Sequence, residues 1–389
     1  MNKLEKRDIL LNSIFNLSST LSSQFLNVYL FVYAKSLPLM CIYTIIRIGL
    51  FPLFFILSYR IAKRHSYSLI FVMGLVLIGS SLLYALNATP LFEISPYYVL
   101  IGAILTGMGE GFYWFASQAC TQLVSTDDSR ARFLSFNGLF NYVGALIAPI
   151  LANIIITNSS NDLSAYRIIL IIIFVQYIFV SLVSLGINVK KEKENISLKE
   201  SFSLKDPMWR DHNTAVVIHG LRNSLSLVLT SLLVYNAVGN GTTYSRLQSA
   251  FAVITIVSFV FLSRILKRYI KTTFKYGVVI AILSTSVLVL FENIYGAIFF
   301  GITNALSACF YDTSYSYSSA KIISHYMDDI DGRVVSREVC LSFGRCLGMS
   351  IIVLFYYILP ENIYLKVSVI LLSCTSIFVY KFFIKYLKD

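Results

Sequence analysis

Long apolar stretches follow one another along almost the whole chain, and this succession constrains the fold more than any other feature. They fall at 9–33, 38–59, 66–87, 96–122, 133–157, 165–188, 213–237, 244–263, 274–291, 294–320, 338–358 and 362–384. Most hold roughly the 20 residues that a helix needs to cross a hydrocarbon core. Composition agrees: hydrophobic types make up 57% of the 389 residues and charged types 13%, against about 45–50% and about 25% in soluble domains. That balance excludes a disordered chain, a disulfide scaffold and an ordinary soluble enzyme. The expected fold is therefore all-α and integral to the membrane, with twelve transmembrane helices.

The formal net charge is +12, yet the basic residues sit in short loops between apolar segments. That pattern sets membrane topology and does not point to nucleic acid. By loop parity, 25 of the 32 Lys and Arg fall on one side and only Lys35, Arg167, Arg246 and Lys366 on the other. The expectation is a multi-pass protein of the cell membrane with both termini cytoplasmic. Lys3, Lys6 and Arg7 precede an apolar run as in a signal peptide. That run is too long and carries Asn12, Asn16, Gln24 and Asn27, so it reads as a retained first span. Six cysteines form no Cys-x-x-Cys, and the four histidines are scattered, so neither a metal site nor a cofactor is expected.

The chain repeats itself. Arg60-Ile61-Ala62-Lys63-Arg64 returns as Arg264-Ile265-Leu266-Lys267-Arg268, Asp128-Ser129-Arg130 as Asp331-Gly332-Arg333, and Val28-Tyr29 as Val234-Tyr235, at offsets of 203–206. The Lys-rich stretch 189–212 then reads as a cytoplasmic linker between an N-terminal six-helix bundle, 1–188, and a C-terminal one, 213–389. Parallel halves of this kind are a known transporter plan, with the substrate held at the midplane between them.

These features resemble the major facilitator superfamily over essentially the whole chain. Of that family's loop motif between spans 2 and 3, the basic part stands here as Arg60, Lys63 and Arg64, without its Gly and Asp. Of the span 5 motif of exporting antiporters, Gly144 and Pro149 stand, with Ala148 and Ala152 at two of the glycine positions; the span 4 arginine is absent. Gly109-Glu110-Gly111-Phe112-Tyr113-Trp114 looks like a stretch of Gram-positive bacterial facilitators. The resemblance implies two pseudo-symmetric bundles and a drug:proton-antiporter-like activity.

Ionisable side chains at membrane depth cost about 2.5–3.5 kcal/mol each even on a lenient scale, so they are functional by default. Five stand out: Arg47, Glu110, Arg222, Asp312 and Arg345. A desolvated carboxylate exchanges protons nearer neutrality, which makes Glu110 the first candidate for proton coupling and Asp312 the second. The two are 202 residues apart, close to the repeat offset. Glu110, Trp114 and Gln118 share one helix face, and Gly102, Gly107, Gly109 and Gly111 permit close helix contact there. The arginines suit an anionic substrate group or compensate the two acids. Asn12, Asn16, Ser19, Ser23 and Asn27 form a stripe along span 1 that reads as the wall of a wet cavity. Asn141, Tyr113, Trp114, Tyr311 and Tyr315 complete the expected substrate lining. Arg60, Arg64, Asp128, Arg130, Asp331 and Arg333 are candidate gating residues at the cytoplasmic ends.

With no Gly-x4-Gly-Lys-[Ser/Thr] loop for ATP, the leading reading is a proton-coupled secondary transporter, acting as a monomer by alternating access. It would export or flip an amphipathic or anionic small molecule or lipid. The alternatives are a proton-coupled importer of a small anionic nutrient and a non-transporting assembly or sensor protein. An intramembrane enzyme lacks support: His-Glu-x-x-His and Gly-x-Ser-x-Gly are absent, and His219 is the only histidine within a span.

Overall fold

The computed structural model describes residues 3–62, 64–124, 143–144, 146–187, 198–227, 229–268, 270–323, 325–326, 330–360 and 363–387. These residues are almost entirely helical and divide by their contacts into two compact units, Met1–Glu194 and Asn195–Asp389. The helices of the first are α1 (Lys3–Ala34), α2 (Leu37–Ala62), α3 (Tyr67–Asn87), α4 (Val99–Val124), α5 (Leu146–Thr157) and α6 (Asp162–Ser184). Those of the second are α7 (Pro207–Val238), α8 (Gly241–Arg268), α9 (Ile270–Leu290), α10 (Ile294–Ile323), α11 (Ile330–Ile358) and α12 (Tyr364–Tyr386). Among the described residues nine helices are long and apolar enough to cross a membrane. Helix α1, with 32 residues, is about 48 Å long at 1.5 Å per residue, but its polar stripe keeps it outside the nine.

Local chemistry sets the helix ends. Asn161 caps α6 by accepting from Ser164 N at 2.8 Å, and Asn293 caps α10 by accepting from Gly296 N at 3.0 Å. Two boundaries differ from the hydropathy reading. The expected linker 189–212 ends early, because Pro207 opens α7 and Asp206 Oδ1 accepts from Met208 N at 2.9 Å; a proline fits a first helical turn. Helix α11 starts at Ile330 rather than 338, since charged residues that are poor in hydrocarbon still form helix well. On α6, Ile168, Ile171, Val175, Ile178 and Leu182 are all exposed at three- and four-residue spacing, one apolar face of the kind lipid covers.

In the first unit α4 packs most extensively on α3 and α2, and α1 on α6; in the second, α7 packs on α11 and α9 on α10. Three of the four glycines singled out on α4 make the close approaches expected. Gly107 lies against the Arg47 backbone, Gly109 against Gly74 O and Gly111 against Phe51 O, whereas Gly102 makes only ordinary contacts.

The tertiary structure also reveals a repeat that the loops do not show. A Cβ on Gly74 would lie 2.7 Å from Tyr113 N, and one on Gly277 2.6 Å from Tyr311 N. The Phe71 and Tyr113 rings meet edge-on at 5.4 Å and 65°; Phe274 and Tyr311 do so at 5.5 Å and 63°. Tyr113 thus corresponds to Tyr311. Asp312 takes the place of Trp114, not of Glu110, which corrects the equivalence drawn from the 202-residue offset. The register differs in part because the connection before α10 is 291–293, whereas that before α4 is 88–98.

Candidate functional site

In the first unit the face of α4 is closed by an ion pair. Arg47 of α2 donates from Nε to Glu110 Oε2 at 2.9 Å and from Nη2 to Oε1 at 2.5 Å. This is the fork geometry of a strong, charge-assisted pair. The side chains are 21% and 14% exposed. The contact of Gly107 with the Arg47 backbone holds the two helices close enough for it. One turn along, Trp114 is half-buried and meets Phe15 and Tyr113 edge-on, both at 5.5 Å. Gln118 is half-buried, and its buried Oε1 has no hydrogen-bond partner among the described residues.

The polar stripe of α1 is drier than expected. Asn12 is buried; its Nδ2 donates to Asp8 Oδ2 at 3.0 Å, and its Oδ1 accepts from Ser117 at 2.9 Å and Tyr113 at 3.4 Å. Asn16 donates to Asn12 O and Asn27 to Ser23 O, so part of the stripe satisfies its own helix. Asn27 is buried and Asn16 half-buried. Tyr113 is also fully buried, stacked on Phe15. Asn27 and Tyr113 are thus packed inside the unit, where the sequence reading had them lining a wet cavity. Sequence reasoning missed Asp8, which is fully buried and extends the stripe by one turn; its i, i+4 spacing from Asn12 was the available signal.

In the second unit the corresponding face is looser. Arg222 of α7 reaches Asp312 Oδ1 at 3.2 Å and Ser307 Oγ at 3.3 Å, and its guanidinium lies 4.1 Å from the centre of the Tyr311 ring. The Asp312 side chain is 49% exposed. It ends a π-helical turn, Ala308–Asp312, that interrupts α10; such turns recur at functional sites. Arg345 of α11 donates from Nε to Asn223 Oδ1 at 2.7 Å. Tyr311 and Tyr315 are buried, which places them among packing side chains and not on an open lining. His219, set aside in the sequence as an isolated histidine, stands between them.

Of the candidate gating residues, Arg60 and Arg64 are exposed at and just beyond the end of α2. Asp331 opens α11, where only its backbone is described. Arg333 lies over two rings, 4.6 Å from the centre of Trp209 and 4.4 Å from that of Tyr326. Tyr326 donates to Asp206, and this hydroxyl, ahead of the Met208 and Trp209 amides, holds the Asp206 carboxyl below its usual range. Lys63, Asp128, Arg130 and Asn141 lie outside the described residues. Gly144 is buried against Ser13 and Leu17 of α1, and Pro149 is buried in α5. Among the residues searched, no cluster of His, Cys, Asp or Glu could hold a metal ion.

A sequence model described as Major Facilitator Superfamily matches residues 10–329. The uncharacterized protein YqgE of Bacillus subtilis (strain 168) is 24% identical over 379 residues, which cover 96% of this chain and 87% of that one. The crystal structure of the nucleoside transporter NupG matches over 100% of both chains at 12% identity, with a TM-score of 0.72. That of FucP, a transporter of the same superfamily in the outward conformation, covers 98% of this chain and 99% of its own at 15% identity, with a TM-score of 0.63. At these identities the two structures establish the shared fold. Helices of spanning length, two bundles built on one repeated plan and the match over most of the sequence lead to one conclusion: the chain belongs to the Major Facilitator Superfamily and is a multi-pass membrane transporter, not an enzyme.

Proposed function

We propose that the protein is a proton-coupled secondary transporter that works by alternating access, with both termini cytoplasmic. In this reading it exports or flips an amphipathic or anionic small molecule or lipid. The observation that carries the proposal is the half-open Arg222–Asp312 pair. A coupling carboxylate has to lose and regain a proton within one cycle. An acid held by a single 3.2 Å contact and open on one side is suited to that. Glu110, gripped on both oxygens, exchanges only when its pair with Arg47 opens. Asp312 is therefore placed ahead of Glu110 as the exchange site, and both are retained. The degenerate motif at Gly144 and Pro149 supports export. A second reading, uptake of a small anionic nutrient, is favoured by two guanidinium groups of the second unit, Arg222 and Arg345, both facing His219.

The test uses purified full-length protein in proteoliposomes with an internal pH-sensitive dye and an imposed pH gradient. Amphipathic cations, amphipathic anions and small anionic metabolites are added in turn. A transported compound accelerates collapse of the gradient in the wild type but not in Asp312→Asn. Collapse by counterflow supports export, and collapse by co-flow supports uptake. Equal collapse in wild type and Asp312→Asn rejects Asp312 as the coupling site.

A further inference from the structure

The two units build the same Tyr-centred frame and decorate it with opposite chemistry. In the first, the Tyr113 hydroxyl donates to Asn12 Oδ1 at 3.4 Å, and Phe15, one turn on along α1, stacks on the ring. In the second, His219 Nδ1 is 3.3 Å from the Tyr311 hydroxyl, and Arg222, at the same three-residue step along α7, lies over the ring. Asn12 therefore corresponds to His219, Phe15 to Arg222, Tyr113 to Tyr311 and Trp114 to Asp312. Where one unit has an amide, a phenol and two apolar rings (Asn12, Tyr113, Phe15 and Trp114), the other has an imidazole, a phenol, a guanidinium and a carboxylate (His219, Tyr311, Arg222 and Asp312).

The series has a mechanical order. His219 is buried and stacks on Tyr315 at 3.7 Å and 17°, so its imidazole is held through its face while Nδ1 meets the Tyr311 hydroxyl at its edge. That hydrogen bond fixes the Tyr311 hydroxyl, while Phe274 holds the edge of the ring and the glycine at 277 lets the Tyr311 backbone approach α9. A ring fixed in this way presents its negative face to Arg222 and attracts its charge. It also limits where the guanidinium can stand relative to Asp312. The charged groups facing His219 are Arg222 and Arg345. Arg337 and Glu338 of α11 face Tyr315, and Asp312 lies beyond Tyr311.

We propose that His219 is a positioning residue: through Tyr311 it holds Arg222 against Asp312 and so sets how tightly Asp312 binds its proton. This rests on the reading of Asp312 as the exchange site. It asks for no contact between His219 and substrate.

Infrared titration of the full-length protein in liposomes tests the idea without a substrate. The carboxylic C=O band present in wild type and missing from Asp312→Asn reports Asp312 alone. In His219→Leu the cation is no longer steered toward the acid, and Asp312 is expected to bind its proton at least about threefold more tightly, since a nearby opposite charge favours the ionised form. Tyr311→Phe keeps the ring but removes the held hydroxyl; it is expected to shift the band the same way and serves where His219→Leu does not fold. His219→Asn, the group that Asn12 supplies in the first unit, is expected to stay within about twofold of wild type. A band that titrates identically in wild type, His219→Leu and Tyr311→Phe overturns the positioning role and leaves the exchange site standing. The absence of any titrating band assigned to Asp312 in wild type overturns both.

Discussion

The Arg47–Glu110 pair of the first unit and the Arg222–Asp312 pair of the second join the same two kinds of group in different geometry. The first is bidentate and mostly buried, with both carboxylate oxygens held by one guanidinium. The second has one 3.2 Å contact, a guanidinium shared with Ser307 and Tyr311, and an acid open along half its surface. Burial raises the cost of breaking a pair far above that of loosening an open one. The comparison teaches that residue type alone does not rank two intramembrane carboxylates, which here differ in how many of their oxygens are committed.

The largest expected effect lies in the closed pair. Glu110→Gln leaves Arg47 buried without its countercharge and is expected to cost about 3–5 kcal/mol, read as a fall in thermal stability in detergent and in yield. Replacing the pair together, Arg47→Met with Glu110→Leu, should recover most of the loss. If Glu110→Gln melts like wild type, the contrast between the two units collapses.

Next come the matched glycines. Gly74→Ala and Gly277→Ala each push a methyl group against the backbone of a frame tyrosine, at 2.7 and 2.6 Å. Both should lose about 1–3 kcal/mol of stability. Similar losses support the shared frame, and a large loss in only one would show that the frame carries weight in that unit alone.

Asp312→Asn should cost less, about 1–2 kcal/mol, because only one carboxylate oxygen is engaged, an asparagine oxygen can still accept there, and the half-buried Arg222 keeps Ser307 and Tyr311. Gradient-driven flux should nevertheless be lost. A variant that is stable but uncoupled, set beside one that is unstable, would sharpen the comparison most directly.

The smallest effect is expected outside the spans. Asp206 is held ionised by Tyr326, so its carboxyl titrates below the ordinary value of about 3.9. The folded state therefore gains stability from it above that value and loses the gain as pH falls through the lowered one. Asp206→Asn should remove roughly 0.5 kcal/mol near neutrality, discounted for solvent screening, and flatten the acid limb of a melting-temperature profile below about pH 5.

Much of this was legible in the residues. Apolar run lengths gave the order of the helices, and the glycines of α4 announced close packing. The five intramembrane charges drew attention to both pairs. Three things were not legible. The extra turns of α11 carry Asp331, Arg333 and Arg337, which hydropathy excludes although they are helical. The buried state of Tyr113, Tyr311 and Asn27 depends on neighbours from other helices. The true correspondence of Asp312 with Trp114 was hidden because the connections 88–98 and 291–293 differ in length, so a constant offset fails across them.

By itself the sequence determined that this chain lives in a bilayer, as helices, in two related halves. Those outcomes follow from local properties: apolar length, loop charge and the period of a helix. Only the tertiary structure decided which arginine meets which acid, how many oxygens each acid has committed, and that His219 holds the tyrosine on which Arg222 rests. Such facts depend on side chains distant in sequence approaching within a few ångströms, and that proximity is set by helix packing, which no single segment encodes.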